Sequence, residues 1–339
     1  MQNRDFSRRE FIRTLMAGVA LGPVMMGMQK NGPGGIPTRP LGKTGEQVSI
    51  ISMGGWDSVA DKTDDESIRI MHEALERGIN FWDNSQDYHN GRAEEVMGKA
   101  LEGGSRRDKV FLMTKVCARD YAGAKIQLEQ SLKRLRTDRL DLWQFHSIQY
   151  DGDMQRIFDP ENGGLKAAIE AKKEGKVRYI GFTGHRHPDI HLEMMNQGFE
   201  WDAVQMPLNI LDAHYNSFQN KVLAVANDRN MGTIGMKSLA AQNARIAREL
   251  NISPELCIRY SLSLPVSSLC VGFQTREEML LDAGIAANFK PLTEDEVNSL
   301  LDRSREPASD GEIELYKNPA GYFGCGYHRG VLEREDAQG

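Results

Sequence analysis

The sequence predicts an α/β chain, a (β/α)8 TIM barrel with a short N-terminal hairpin and a C-terminal helical extension. Three observations carry that expectation. Short apolar runs alternate with helix-like stretches eight times, as in a parallel sheet with crossover helices. Three successive runs, at 79–83, 110–115 and 140–146, end on the ionisable residues Asp83, Lys115 and His146. A buried strand seldom ends on a charge without a reason, because desolvating a charge is costly unless it is paired. In a parallel barrel all the strand ends open onto one face, where such barrels keep their active sites. The length, 339 residues, suits one barrel with extensions.

Taken in order, residues 1–30 read as an export signal. Arg8 and Arg9 precede Phe11, and a mostly apolar run follows at 14–28. A basic region before a short apolar run is the pattern of a secretory signal. The run is shorter than the ~20 residues that span a bilayer, so no stable membrane span is expected. The paired arginines followed by Phe11 resemble a twin-arginine signal, the route for proteins exported already folded. That places the protein in the periplasm or outside the cell, or in the cytoplasm where the signal is not used.

A Gly-rich linker at 31–37 leads to the barrel at 38–290, and 291–339 form the extension. Residues 38–45 read as a hairpin or turn, and 48–53 as the first barrel strand, ending at Gly54. Acids at 64–66 open a helix that stops at Gly78. The strand ending at Asp83 is followed by a helix at 93–101, the strand ending at Lys115 by one at 122–135. After the strand ending at His146 comes a long loop to Gly163, then a helix at 165–174. Further strands are expected at 177–182, 203–206, 233–236 and 268–271. Their helices begin near His187-Pro188, Lys221, Ser253-Pro254 and Thr275. A last helix is expected from Thr293 to Arg303.

Composition excludes some partners. Net charge is −6, and because residues 1–30 hold five Lys/Arg and two Asp/Glu, the remainder carries −9. Nucleic acid and anionic membrane surfaces demand clustered positive charge, so neither is expected. Cys117, Cys257, Cys270 and Cys325 are far apart in the chain, without metal-ligand or disulfide-framework spacing. His185, His187 and His191 are too loosely spaced for a metal set and read as pocket-lining or surface residues. No metal is expected, and Cys325 receives no role.

Tyr88 lies five residues after Asp83, in the loop leaving that strand, and can join the cluster. Lys115 beside Asp83 would be held in one orientation. A lysine cation close to Tyr88 favours phenolate and should lower its pKa, making it a better proton donor near neutral pH. His146 could stabilise charge developing on a carbonyl oxygen. That arrangement suits carbonyl reduction, with hydride arriving at carbon and a Tyr88 proton at oxygen. No side chain supplies hydride, so a nicotinamide or flavin is required. A structural ion-pair network is the competing reading.

These residues resemble the aldo-keto reductases. Asp83 and Tyr88 within Phe81-Trp82-Asp83-Asn84-Ser85-Gln86-Asp87-Tyr88 match that family's second-strand motif. Thr114-Lys115 and the run through Phe145-His146 match two others, and Pro40-Leu41-Gly42-Lys43-Thr44-Gly45 matches its opening. The resemblance implies a nicotinamide-dependent oxidoreductase without a Rossmann fingerprint, using NADP, with NAD as the alternative. It implies a carbonyl or alcohol substrate, a sugar among the candidates. Cofactor-binding roles carry over to Thr183, Gln205, Lys237, Ser238, Gly272, Gln274 and Arg276. Gly184 replaces an amide-bearing asparagine, Asp282 another asparagine, and Glu277 and Glu278 crowd the adenosine end. Lys237 reads equally well as a strand-end lysine snorkelling to solvent.

Because an exported protein has no evident supply of free NADPH, the resemblance also admits a cofactor carried out bound. The alternative function is a nicotinamide-binding sensor or partner subunit without significant turnover. Oligomeric state and substrate are not legible.

Overall fold

A computed structural model describes residues 30–149, 151–240, 244–318 and Cys325. The export-signal motif lies outside the described residues.

Three N-terminal strands, β1 (Lys30–Asn31), β2 (Pro37–Pro40) and β3 (Gln47–Ser49), form an antiparallel sheet. The Gly-rich stretch expected to be a linker runs between β1 and β2 through a 3-10 turn at Pro33–Gly35. The apolar run expected as one strand at 48–53 is shared by two sheets. Ile50 is the switch point: its N–H donates to Pro37 O at 3.0 Å and its carbonyl accepts from Leu269 N at 2.8 Å. β4 (Ile51–Gly54) therefore starts the barrel.

Seven more parallel strands follow: β5 (Phe81–Asp83), β6 (Phe111–Val116), β7 (Leu140–Phe145), β8 (Val177–Thr183), β9 (Ala203–Pro207), β10 (Gly232–Met236) and β11 (Ser268–Val271). Each pairs with the next in chain order, and β11 closes onto β4 through Leu269 opposite Ile51. The expected (β/α)8 barrel is the fold. Helices wrap it, several fixed by caps: Thr63 accepts from Glu66 N, Asp120 from Gly123 N, and Thr275 and Glu278 form a reciprocal capping box. Each such cap is worth about 1 kcal/mol.

The N-terminal sheet closes one end of the barrel. Leu41 and Val48 pack inside it against Phe81, Phe111, Met113, Leu142, Ala203 and Ile234. Gly42 makes that approach possible, because with φ at 51° a Cβ there would sit 2.3 Å from Gly232 N. Arg39 is buried beneath the hairpin and donates to Val266 O and Leu262 O at 2.9 and 3.0 Å. With that end plugged, the carboxyl ends of the strands are the open face.

The long loop after β7 holds a helix, Asp151–Ile157, that was not expected. Its Asp153 carboxylate accepts from Arg119 Nε and from Gln149 N, both at 2.9 Å, so a buried ion pair organises the segment. The extension begins with helix Glu294–Ser304, capped by Thr293 and Glu296, and continues to Lys317, which returns to the barrel. Among the described residues no helix is long and apolar enough to cross a membrane.

Candidate active site

Asp83 is the last residue of β5, Lys115 lies near the end of β6 and His146 immediately follows β7. Successive parallel strands put the three ends side by side, and all three side chains are buried. Lys115 Nζ donates to Asp83 Oδ1, to Asn84 O at 2.7 Å and to Tyr88 Oη at 3.3 Å. The same ammonium lies 4.9 Å from the centre of the Tyr88 ring. Asp83 Oδ2 accepts from Gln205 Nε2 at 2.9 Å and from the Cys270 thiol at 3.1 Å. Burial and the Asp83 charge push the Cys270 thiol up, so it stays a protonated donor. Gln205, expected to meet the cofactor, thus also braces the aspartate.

Tyr88 stands in a short, strained turn. His89 and Asn90, just after it, both have positive φ, at 51° and 56°. Such backbone costs free energy in non-glycine residues and persists only where surrounding contacts hold it. Those contacts come from Trp56, whose ring meets Tyr88 edge-on at 5.4 Å and His89 at 4.4 Å, and whose carbonyl lies 2.8 Å from His89 Nε2. Trp56 is 43% exposed and forms an aromatic wall beside the tyrosine. Trp82 and Trp143, by contrast, are core.

His146 faces Tyr88 edge-on, ring centres 5.7 Å apart. Its Nδ1 lies 3.1 Å from Ser85 Oγ and 3.3 Å from Asp87 Oδ1, and Ser85 Oγ donates to that same aspartate oxygen at 2.6 Å. Burial works against the Asp87 carboxylate, but His146, Ser85 and Lys115 outweigh it and hold the carboxyl well below its usual range. Arg119 anchors the backbone, donating to His146 O at 2.6 Å and Cys117 O at 2.8 Å. None of Ser85, Asp87 or Arg119 was singled out from the sequence. Asp87 and Ser85 lie inside the motif that carries Tyr88, so that stretch held the available signal. Arg119 had none.

The expected cofactor residues ring the same open face. Thr183 ends β8, Gln205 lies within β9, Lys237 and Ser238 follow β10, and Gly272 and Gln274 follow β11. Thr183, Gln205 and Ser238 are buried. No side chain fits at Gly184, where a Cβ would stand 2.5 Å from Ile148 O, so this backbone has no room for an asparagine. Arg276 opens helix Arg276–Ala287 but grips Glu73 bidentately, Nε to Oε2 at 2.6 Å and Nη2 to Oε1 at 2.8 Å. It is therefore not a free cation at the adenosine end. Burial and nearby Glu278 push Asp282 in that helix up to about 7.

The three histidines sit in different surroundings, with His185 buried. His191 is wholly buried between Phe182 and Phe218, and burial lowers it to about 4, a neutral core residue. His187 caps helix Pro188–Met195, accepting from Asp189 N. One cysteine, however, is not where the sequence left it. Cys325, to which no role was assigned, is buried at the open face. Its Sγ joins the Cys117 Sγ, a His146 ring nitrogen and an Asp87 carboxylate oxygen in a group whose ligating atoms are all within 4.8 Å of one another.

Known proteins match this geometry. The model of the aldo/keto reductase family matches residues 50–245, more than half of the chain. An uncharacterized oxidoreductase of Bacillus subtilis, YqkF, is 26% identical over 309 residues, spanning 79% of this chain and 96% of its own. The L-galactose dehydrogenase of Arabidopsis thaliana is 29% identical over 159 residues, 44% of this chain and 49% of its own. Among solved structures, the holo form of aldo-keto reductase AKR11C1 from Bacillus halodurans superposes with a TM-score of 0.65 at 25% identity. That match covers 79% of this chain and 96% of that one. A closed eight-stranded parallel barrel, a family match over more than half of the chain and a solved structure matched over 79% of it lead to one conclusion: the chain belongs to the aldo/keto reductase family and is an NAD(P)H-dependent oxidoreductase.

Proposed function

We propose that the chain transfers hydride between a nicotinamide and a carbonyl or alcohol carbon, with Tyr88 as the acid/base, and that its substrate is a small polyol or sugar. The observation that carries the first part is one contact: Lys115 Nζ, held by buried Asp83, donates to Tyr88 Oη at 3.3 Å. A cation so placed stabilises the charge left on the phenol oxygen when its proton goes to the substrate. His146, across from Tyr88, is placed to hold the substrate oxygen and disperse its developing charge. Ser85 and Asp87 at Nδ1 keep that ring from turning away, and Arg119 fixes its backbone.

The residues at the open face fit a nicotinamide dinucleotide at one end and resist part of it at the other. Lys237 has no carboxylate partner among the described residues and adjoins buried Ser238, a donor pair suited to a pyrophosphate. Thr183 and Gln205 are buried polar groups suited to the carboxamide. When bound, the nicotinamide supplies the hydride that no side chain can. At the adenosine end a 2′-phosphate of NADP would have to take Arg276 from Glu73 beside Glu277 and Glu278. The expected preference for NADP therefore depends on breaking that ion pair, and NAD needs no such exchange.

Exposed Trp56 beside Tyr88 supports the substrate class, because an indole face packs against the apolar face of a sugar ring. The relative named L-galactose dehydrogenase points to the same class. The test is Tyr88→Phe assayed against an aldose and polyol panel. Turnover should fall by about 10²–10⁴ while nicotinamide binding, followed by fluorescence, stays within a few-fold. Turnover retained by the variant overturns the assignment.

A further inference from the structure

We propose that Asp87, Cys117, His146 and Cys325 form a binding site for a zinc-class divalent cation at the open face of the barrel. The four ligands come from four places in the chain: the loop after β5, the residue after β6, the residue after β7, and the C-terminal segment. Their ligating atoms all lie within 4.8 Å of one another. Two edges of the group are known individually. Cys117 Sγ is 3.7 Å from His146 Nδ1, and His146 Nδ1 is 3.3 Å from Asp87 Oδ1. A tetrahedron with zinc–sulfur bonds of 2.3 Å and zinc–nitrogen or zinc–oxygen bonds near 2.0 Å has edges of roughly 3.3–3.8 Å.

The donor set selects the ion. Two thiolates, one imidazole and one carboxylate suit zinc and its soft neighbours and do not suit calcium or magnesium, which take oxygen ligands. Two thiolates and a carboxylate around a dication leave one negative charge. Arg119 is the neighbouring cation, and Asp153 already pairs with it. The supports around the ligands are those metal sites use. Ser85 Oγ donates to Asp87 Oδ1, and Arg119 fastens the carbonyls of both Cys117 and His146.

Coordination through Nδ1 leaves His146 Nε2 unligated. With four protein ligands the site is closed, so its effect is structural. The cation would clamp the chain at Cys325 beside Tyr88 and fix the orientation of His146.

The experiment uses the full chain, reduced and stripped with chelator, then titrated with Co2+ alone. The proposal expects a thiolate-to-cobalt charge-transfer band that saturates at one equivalent and is displaced by Zn2+. Cys325→Ser and Cys117→Ser should each abolish the band, while Cys257→Ser, a distant buried thiol, keeps it. Absence of the band in the reduced wild-type chain overturns the site, as does a band undiminished in Cys325→Ser or Cys117→Ser, or one lost in Cys257→Ser. A Cys117–Cys325 disulfide whose reduction restores two thiols but no cobalt binding also overturns it. The readout is metal rather than turnover, so its failure would leave the hydride-transfer reading untouched.

Discussion

Two buried lysines in this barrel have nearly the same company and opposite prospects. Lys317, in the C-terminal segment, donates to Asp212 Oδ1 at 2.7 Å and Tyr215 O at 2.8 Å and forms an ion pair with Glu314 Oε2 at 2.9 Å. Burial works against its ammonium, but Asp212 and Glu314 outweigh that and raise its pKa. Asn209 joins the network, donating to Glu314 and Tyr316, and the whole is sealed under the chain. Lys115 gives two of its protons to Asp83 and Asn84 O, and the third goes to a phenol that stands half-buried at the open face. An ammonium shared by two carboxylates holds two segments together. An ammonium whose last partner can itself lose a proton can do chemistry. The difference lies in the third partner, a carboxylate for Lys317 and a phenol for Lys115.

That contrast can be broken most sharply by removing each cation. Lys115→Met leaves buried Asp83 without its cation, Lys317→Met leaves both Asp212 and Glu314 without theirs, and each should cost about 3–5 kcal/mol in urea melts. Only Lys115→Met should also cut turnover per folded molecule, by about 10²–10⁴. Equal turnover losses, corrected for folded fraction, would erase the distinction.

A second effect, on stability alone, concerns a buried acid that has no cation partner among the described residues. Asp282 is raised from 3.8 to about 7 when folded. Below pH 4 the folded and unfolded chains both hold that proton and burial carries no penalty. As pH rises from about 4 to 7 the unfolded chain releases the proton first, and stability falls. Above pH 7 the penalty is complete, on the order of 4 kcal/mol. Asp282→Asn should therefore raise Tm at pH 8 and leave it unchanged at pH 3.5. An equal gain at both pH values would show that the charge is not the cause.

The smallest effect is expected where an ion pair is exposed. Glu73→Gln frees Arg276, and NADPH affinity should rise by roughly a few-fold, the scale of surface ion pairs. NADH affinity should not move. A matched rise in both would place Arg276 away from the 2′-phosphate.

Much of the fold was legible because burial writes itself into composition at short range. Runs ending at Asp83, Lys115 and His146 are apolar enough to be strands, and parallel strands in chain order must bring consecutive ends together. Ile50 shows the limit: an apolar run announces burial, yet nothing local says that its N–H and C=O serve different sheets. The helix at Asp151–Ile157 was missed for a similar reason. It is organised by Asp153 meeting Arg119, 34 residues away, rather than by its own periodicity.

The candidate site divides the same way. Asp83, Tyr88, Lys115 and His146 could be named from strand ends and one loop spacing. Arg276 was also named, yet its grip on Glu73 involves a residue 203 positions away and could not be read. Cys117 and Cys325 are separated by more than half the chain, and only folding brings their sulfurs within 4.8 Å of His146 Nδ1. The sequence by itself determined the barrel, the order of its strands and the ionisable residues at three successive strand ends, because those follow from local hydrophobicity and chain connectivity. The tertiary structure alone decided which buried lysine reaches a phenol at the open face, which arginine is already taken and which cysteine reaches that face. Those depend on contacts between segments remote in sequence, which no local pattern encodes.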